Sequence, residues 1–141
     1  MDSNKFHTEG TLIAMDLWGL SFETLNHPLL LSDLAKQAAE KAGMRVLAIS
    51  IVPFRPQGLS LAVILGESHL TIHTAPEYGY AAVDVFTCGK GNPLMAVQYL
   101  IENLKPKEIR VKEFQRGVRV PSVKDRIEIS LQLKGAELAS R

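Results

Sequence analysis

GESHLTIHTAPEYGYAAVDVFTCGKG, residues 66–91, is the stretch from which the fold of this chain can be read. Two short β segments, residues 70–74 and 80–87, are joined across a turn at APEYG, where proline and glycine interrupt the apolar alternation. On the first segment, alternation puts His69, Thr71 and His73 on one face and Ser68, Leu70 and Ile72 on the other. On the second, Ala82, Asp84, Phe86 and Cys88 share a face. The same stretch holds the only cysteine, two of the four histidines and two of the three tyrosines, so any chemistry it carries sits on a rigid sheet.

Upstream, GTLIAMDLWG at residues 10–19 alternates as a strand, with Thr11, Ile13, Met15 and Leu17 on one face and Leu12, Ala14, Asp16 and Trp18 on the other. From Asn26 the spacing becomes helical. Leu31, Leu34, Ala35, Ala38 and Ala42 form one apolar stripe, Asn26 or Ser32 caps its start, and Gly43 supplies the left-handed end. Residues 44–52 and 59–65 read as strands separated by a loop that Pro53, Pro56 and Gly58 punctuate. Downstream, Asn92 and Pro93 open a second helix whose stripe is Val97, Leu100, Ile101 and Leu104, stopped at Lys105 and Pro106. Residues 108–114 form a further strand, with Ile109 and Val111 assigned to opposite faces. After Pro121, alternation of Ile127, Ile129, Leu131 and Leu133 suggests an added edge strand. The order β, α, β, β, β, β, α, β describes an α+β two-layer sandwich, a largely antiparallel sheet with helices on one face.

A chain of 141 residues fits a single domain, 1–141, with a sizeable core. A net charge of +1 offers no basic field for nucleic acid or an anionic membrane, so neither is expected as a partner. One cysteine makes no internal disulfide, MDSNKFHTEG lacks the apolar core of a signal peptide, and no apolar run approaches the roughly 20 residues of a membrane span. A reducing cytoplasm is the expected location.

ESHLTIHTAPEYGYAAVDVFTCG, residues 67–89, resembles the signature of the short prokaryotic S-adenosylmethionine decarboxylase proenzymes. The resemblance extends more loosely through FRPQGLSLAVILG, residues 54–66, to the first helix. It implies the α+β architecture just described. It also implies self-cleavage between Glu67 and Ser68 into 1–67 (β chain) and 68–141 (α chain), with Ser68 becoming a pyruvoyl cofactor that forms a Schiff base with the substrate amine. By the same resemblance His73 is the processing base, Ser60 assists processing, Cys88 is the proton donor, Glu77 binds the ribose hydroxyls and Phe54 stacks on the adenine. The implied reaction converts S-adenosylmethionine to the decarboxylated aminopropyl donor for spermidine synthesis, in a homodimer of processed protomers. One departure stands out: many short bacterial members carry tryptophan where this chain has Ala75.

The residue types suit this chemistry. A serine hydroxyl can attack the preceding carbonyl to give an ester, histidine is the natural base near neutral pH, and an ordinary thiol, with a pKa of about 8.5, is mostly protonated at pH 7 and can act as an acid. Other readings of the same residues remain open. A lone cysteine in a strand is more often a small core hydrophobe. Ser68 with His73 is the beginning of a hydrolase pair, but no GxSxG elbow accompanies them. His69 and His73 lack an evident third metal ligand, so no metal is expected. Glu67 with Asp84 carries almost no information as an acid/base pair, and Asp16, His69 and Asp84 have no assigned role. Two alternative functions compete: a pyruvoyl-dependent arginine or ornithine decarboxylase on the same scaffold, and a non-cleaving regulatory homologue.

Overall fold

The computed structural model describes residues 8–66, 68–88 and 90–118. Its elements are β1 (Gly10–Trp18), α1 (Phe22–Leu25), α2 (Pro28–Lys41), β2 (Val46–Pro53), β3 (Leu59–Leu65), β4 (Ser68–Ala75), a 3-10 turn (Pro76–Tyr78), β5 (Tyr80–Thr87), α3 (Pro93–Leu104) and β6 (Glu108–Arg116). The six strands form one sheet in the order β2-β3-β4-β5-β1-β6, and every neighbouring pair is antiparallel.

Alternation decides which face is covered. Leu59, Leu61, Val63 and Leu65 of β3, Leu70 and Ile72 of β4, Ala81, Val83 and Val85 of β5, and Ile13, Met15 and Leu17 of β1 are all buried on one side. Leu31, Leu34, Ala35, Ala38 and Ala39 of α2 and Ala96, Val97, Leu100 and Leu104 of α3 complete that core, so both long helices lie on this face. The alanines of α2 let its backbone approach the sheet closely, and burial of the apolar side chains provides the main driving force. The opposite face of the sheet carries Ser60, His69, Thr71, His73, Tyr80 and Asp84, with no described helix over it.

Several boundaries differ from expectation for local reasons. Residue 27, not Asn26 or Ser32, caps α2: His27 Nδ1 accepts from Leu30 N–H at 3.2 Å, and Pro28 sets the first turn directly after it. Asn26 instead closes α1, a four-residue helix capped by Ser21 and too short for its own periodicity to reveal. β2 begins at Val46 rather than residue 44, because Gly43 and Met44 N–H still bond back to Glu40 and Ala39 carbonyls at the end of α2. Ile109 and Val111 share a face instead of opposing one another: they pair with Leu17 and Met15, two residues apart on β1. Ile101 is only partly buried at the margin of the α3 stripe. Glu67 and the alternating run after Pro121 lie outside the described residues.

Candidate active site

The β3–β4 register sets the first group of side chains. Ser60 pairs with His73 on the open face, and Ser60 Oγ and His73 Nδ1 lie 2.6 Å apart. In the tautomer whose Nδ1–H donates to the serine oxygen, Nε2 is the bare nitrogen able to take a proton; in the other, the serine hydroxyl donates to Nδ1. Past His73 the strand ends in the 3-10 turn that presents Glu77, whose Oε2 accepts a hydrogen bond from Gln57 Nε2. Phe54, half-exposed, follows β2 at the same end of the sheet, and its N–H donates to Gly58 O at 2.7 Å. Thr74 ties this corner down: its Oγ1 accepts from Leu59 N–H at 3.0 Å and donates to Leu25 O at 2.9 Å. Phe54, Ser60, His73 and Glu77 are therefore brought to one end.

Ser68 and Cys88 are brought to the other. Ser68 opens β4 opposite Thr87, and Cys88 follows Thr87 as an exposed residue just past the end of β5. A cleft of ≈ 380 Å³ lies there, lined by Thr11, Thr87, Cys88, Lys90 and Gln115 among others. Ser68 and His73, five residues apart on one strand, project to opposite faces and are separated by about 16 Å along β4. Within one chain the histidine does not reach the serine.

The three unassigned polar residues also find places. His69 packs its ring against Phe86, centroids 5.8 Å apart, while the Arg116 guanidinium lies 4.9 Å from the other partner of that contact, the Phe86 ring centroid. Asp84 sits mid-sheet opposite Thr71 and Ala14. Asp16 accepts a short hydrogen bond from Tyr80 O–H. That bond, then burial, then the charges of Asp16 and Asp84 push the Tyr80 phenol from 10.0 up to about 12. Because Asp16 is on β1, Tyr80 leans away from Ala75, its neighbour on β4, and does not supply a ring there. Among the described residues no three His, Cys, Asp or Glu side chains gather as a metal site.

A family model described as S-adenosylmethionine decarboxylase matches residues 11–117. The chain belongs to that family. Among relatives in this decarboxylase family, the S-adenosylmethionine decarboxylase proenzyme of Brevibacillus brevis is 42% identical over 115 residues, covering 81% of this chain and 86% of that protein. The proenzyme of Caldicellulosiruptor saccharolyticus is 44% identical over 119 residues, covering 84% and 96%. The crystal structure of the adenosylmethionine decarboxylase from Aquifex aeolicus superposes with a TM-score of 0.74 at 33% identity, covering 82% of this chain and 96% of that one. A Trypanosoma brucei decarboxylase monomer shares the fold at a TM-score of 0.55 and 18% identity.

Against the decarboxylase family's site residues read from sequence, three supporting groups were missed: Gln57, Thr74 and the Asp16–Tyr80 pair. Each acts through a partner at least 15 residues away in sequence. The usable signal for Gln57 was register: counting outward from Ser60↔His73 brings residue 57 beside the turn that carries Glu77.

Proposed function

We propose that this chain is a self-processing, pyruvoyl-dependent S-adenosylmethionine decarboxylase that works as a homodimer, each site completed by the partner subunit. The observation that carries the reading is Ser68 at the start of β4, at the tip of the β3–β4 hairpin and beside Cys88, in a chain whose relatives are named decarboxylase proenzymes.

In processing, Ser68 Oγ attacks the Glu67 carbonyl carbon, the Glu67–Ser68 C–N bond breaks, and an ester results. A base then removes the Cα proton of residue 68. The electron pair forms the Cα=Cβ bond as the Cβ–O bond breaks and the Glu67 carboxylate leaves. Hydrolysis by one water releases ammonia and leaves the pyruvoyl ketone. His73 has the chemistry for the base but stands at the wrong end of its own β4. Two copies that pack their open sheet faces about a two-fold axis near Thr71 and Asp84 bring each His73 end over the partner's Ser68 end, where residue 68, the first of β4, is approached at the strand terminus rather than through the sheet. Half-exposed Val52, Ile64 and Phe114 on that face gain burial in the same contact.

The pyruvoyl group supplies a ketone for the substrate amine and a sink for the electron pair freed as carbon dioxide leaves. Around it, Cys88 delivers a proton to the substrate α-carbon, Phe54 stacks on the adenine, and the Glu77 carboxylate accepts the ribose hydroxyls. The product is the aminopropyl donor used in spermidine synthesis. A thiol used as an acid suits a reducing cytoplasm, and no described helix is long and apolar enough to cross a membrane.

Denaturing mass spectrometry tests the processing step. Wild-type protein should give chains 1–67 and 68–141, the second lighter by ammonia than a serine-ended chain. A single uncut chain after prolonged incubation removes the pyruvoyl reading. Carbon dioxide release with S-adenosylmethionine, arginine and ornithine tests the substrate, and faster turnover of either amino acid replaces the adenosyl reading.

A further inference from the structure

We propose that Gln57 is a positioning residue for substrate: its side-chain amide holds the Glu77 carboxylate in the orientation that receives the ribose hydroxyls. The inference rests on the reading of Glu77 as the ribose-binding group.

Glu77 is exposed on a three-residue 3-10 turn with no strand partner of its own. A carboxylate in that position samples many rotamers, and only a fraction of them face a bound ligand. Gln57 Nε2 donates to Glu77 Oε2 at 2.5 Å across 20 residues of sequence. The amide must turn its nitrogen toward the carboxylate, since its oxygen would meet a second acceptor. An ionised carboxylate offers about four acceptor positions. Gln57 takes one and fixes the plane, leaving Oε1 for the ligand.

Gln57 can serve as an anchor because its own backbone is pinned. Gly58 N–H donates to Asn26 Oδ1 at 3.0 Å, and Gly58 O accepts from Phe54 N–H at 2.7 Å. Gly58 adopts φ +95°, and a Cβ there would lie 3.0 Å from Thr74 O, so the loop passes close over β4 only with glycine. The same short loop thus carries Phe54 on one side and the Glu77 anchor on the other. Adenine stacking and ribose binding are set at a fixed distance by one piece of backbone.

The experiment uses the processed enzyme and compares Gln57→Leu, Gln57→Lys, Glu77→Gln and the Gln57→Leu/Glu77→Gln double variant. Gln57→Leu should raise KM for S-adenosylmethionine about fivefold to tenfold, the loss expected for one charge-assisted hydrogen bond at a half-exposed site, with kcat and the extent of self-cleavage unchanged. Gln57→Lys, which restores a donor of similar reach, should return KM to within about twofold. In the double variant the Gln57 change should add nothing to Glu77→Gln, because the group it orients is gone. A substrate analogue lacking both ribose hydroxyls should bind wild type and Gln57→Leu alike. If Glu77→Gln leaves KM unchanged, the ribose reading fails and takes the inference with it. If Glu77→Gln raises KM while Gln57→Leu does not, or the two effects simply add, the ribose reading stands and the positioning role is overturned.

Discussion

The two ends of the sheet hold their functional side chains in different ways. At the end where Ser60, His73 and Glu77 gather, each group is fixed by a partner across a strand or turn: Ser60 on His73, Gln57 on Glu77, Thr74 on Leu59 and Leu25. At the Ser68 and Cys88 end, the residues occupy strand termini next to glycines 66, 89 and 91. A group that orients substrate or holds a base gains from rigidity. A backbone bond that must be attacked and cut needs room at a chain reversal. Under the proposed function, the first end holds the positioning groups and the base, and the second holds the bond to be cut.

The strongest way to break this division is Ser68→Ala, which should abolish both self-cleavage and carbon dioxide release and leave one chain by mass. Any residual cleavage between residues 67 and 68 would move the reactive atom elsewhere. Next is the assignment of the two halves to different subunits. His73→Ala alone should stall as an ester that hydroxylamine cleaves. Co-expressed with tagged Ser68→Ala, about half of the His73→Ala chains should be processed, because random pairing gives them a partner with an intact His73. Failure of His73→Ala chains to be cut in the mixture would place the base within one chain or outside this residue.

Smaller effects sharpen the division. Cys88→Ala should process but turn over about a hundredfold more slowly, and mass analysis should find alanine accumulating at position 68 as protons reach the wrong carbon. Normal turnover would remove Cys88 from the reaction. Ser60→Ala should slow processing about tenfold by releasing His73 from its tether, with turnover by already processed enzyme less affected. A processing rate equal to wild type would make the Ser60–His73 contact incidental.

The smallest effect concerns Tyr80. Its phenol is raised from 10.0 to about 12, so the folded state favours the protonated form; this contribution to stability is fully present below pH 10 and is lost as pH rises from 10.0 through about 12. Asp16→Asn should bring the phenolate absorbance change down toward the ordinary tyrosine value in a spectrophotometric titration. An unchanged titration would mean that burial, rather than the Asp16 bond, sets it.

Much of the fold was legible because one period dominated each segment. The β3 and β5 boundaries and the α3 start match the alternation and the Asn92–Pro93 cap. What escaped lacked a period: α1 is four residues long, and the cap at His27 depends on where Pro28 falls. At the site, the sequence already put Ser68 and His73 five residues apart on one strand, the separation behind the proposed second subunit. The Gln57–Glu77 bond needed the β3–β4 register as well as the pattern, and the Asp16–Tyr80 bond was not legible at all, since it follows from the order β2-β3-β4-β5-β1-β6, in which β1 joins the sheet beside β5. Strand order is a global property that no local window contains.

The β3–β4 hairpin changes the folding problem itself. In the uncut chain β3 and β4 are one antiparallel unit whose strands are joined by a very short connection, among the least costly closures a chain can make. Under the proposed cleavage between residues 67 and 68, the same ladder would then join two separate molecules in the middle of the sheet. The native contacts stay where they were, but the unfolded state gains the freedom of two chains to diffuse apart. Unfolding of the processed protein then depends on concentration, and dilution after denaturation should leave two fragments that do not find each other. A chain processed in the proposed way would have to finish folding before the bond is broken, and would then persist through its barrier to unfolding.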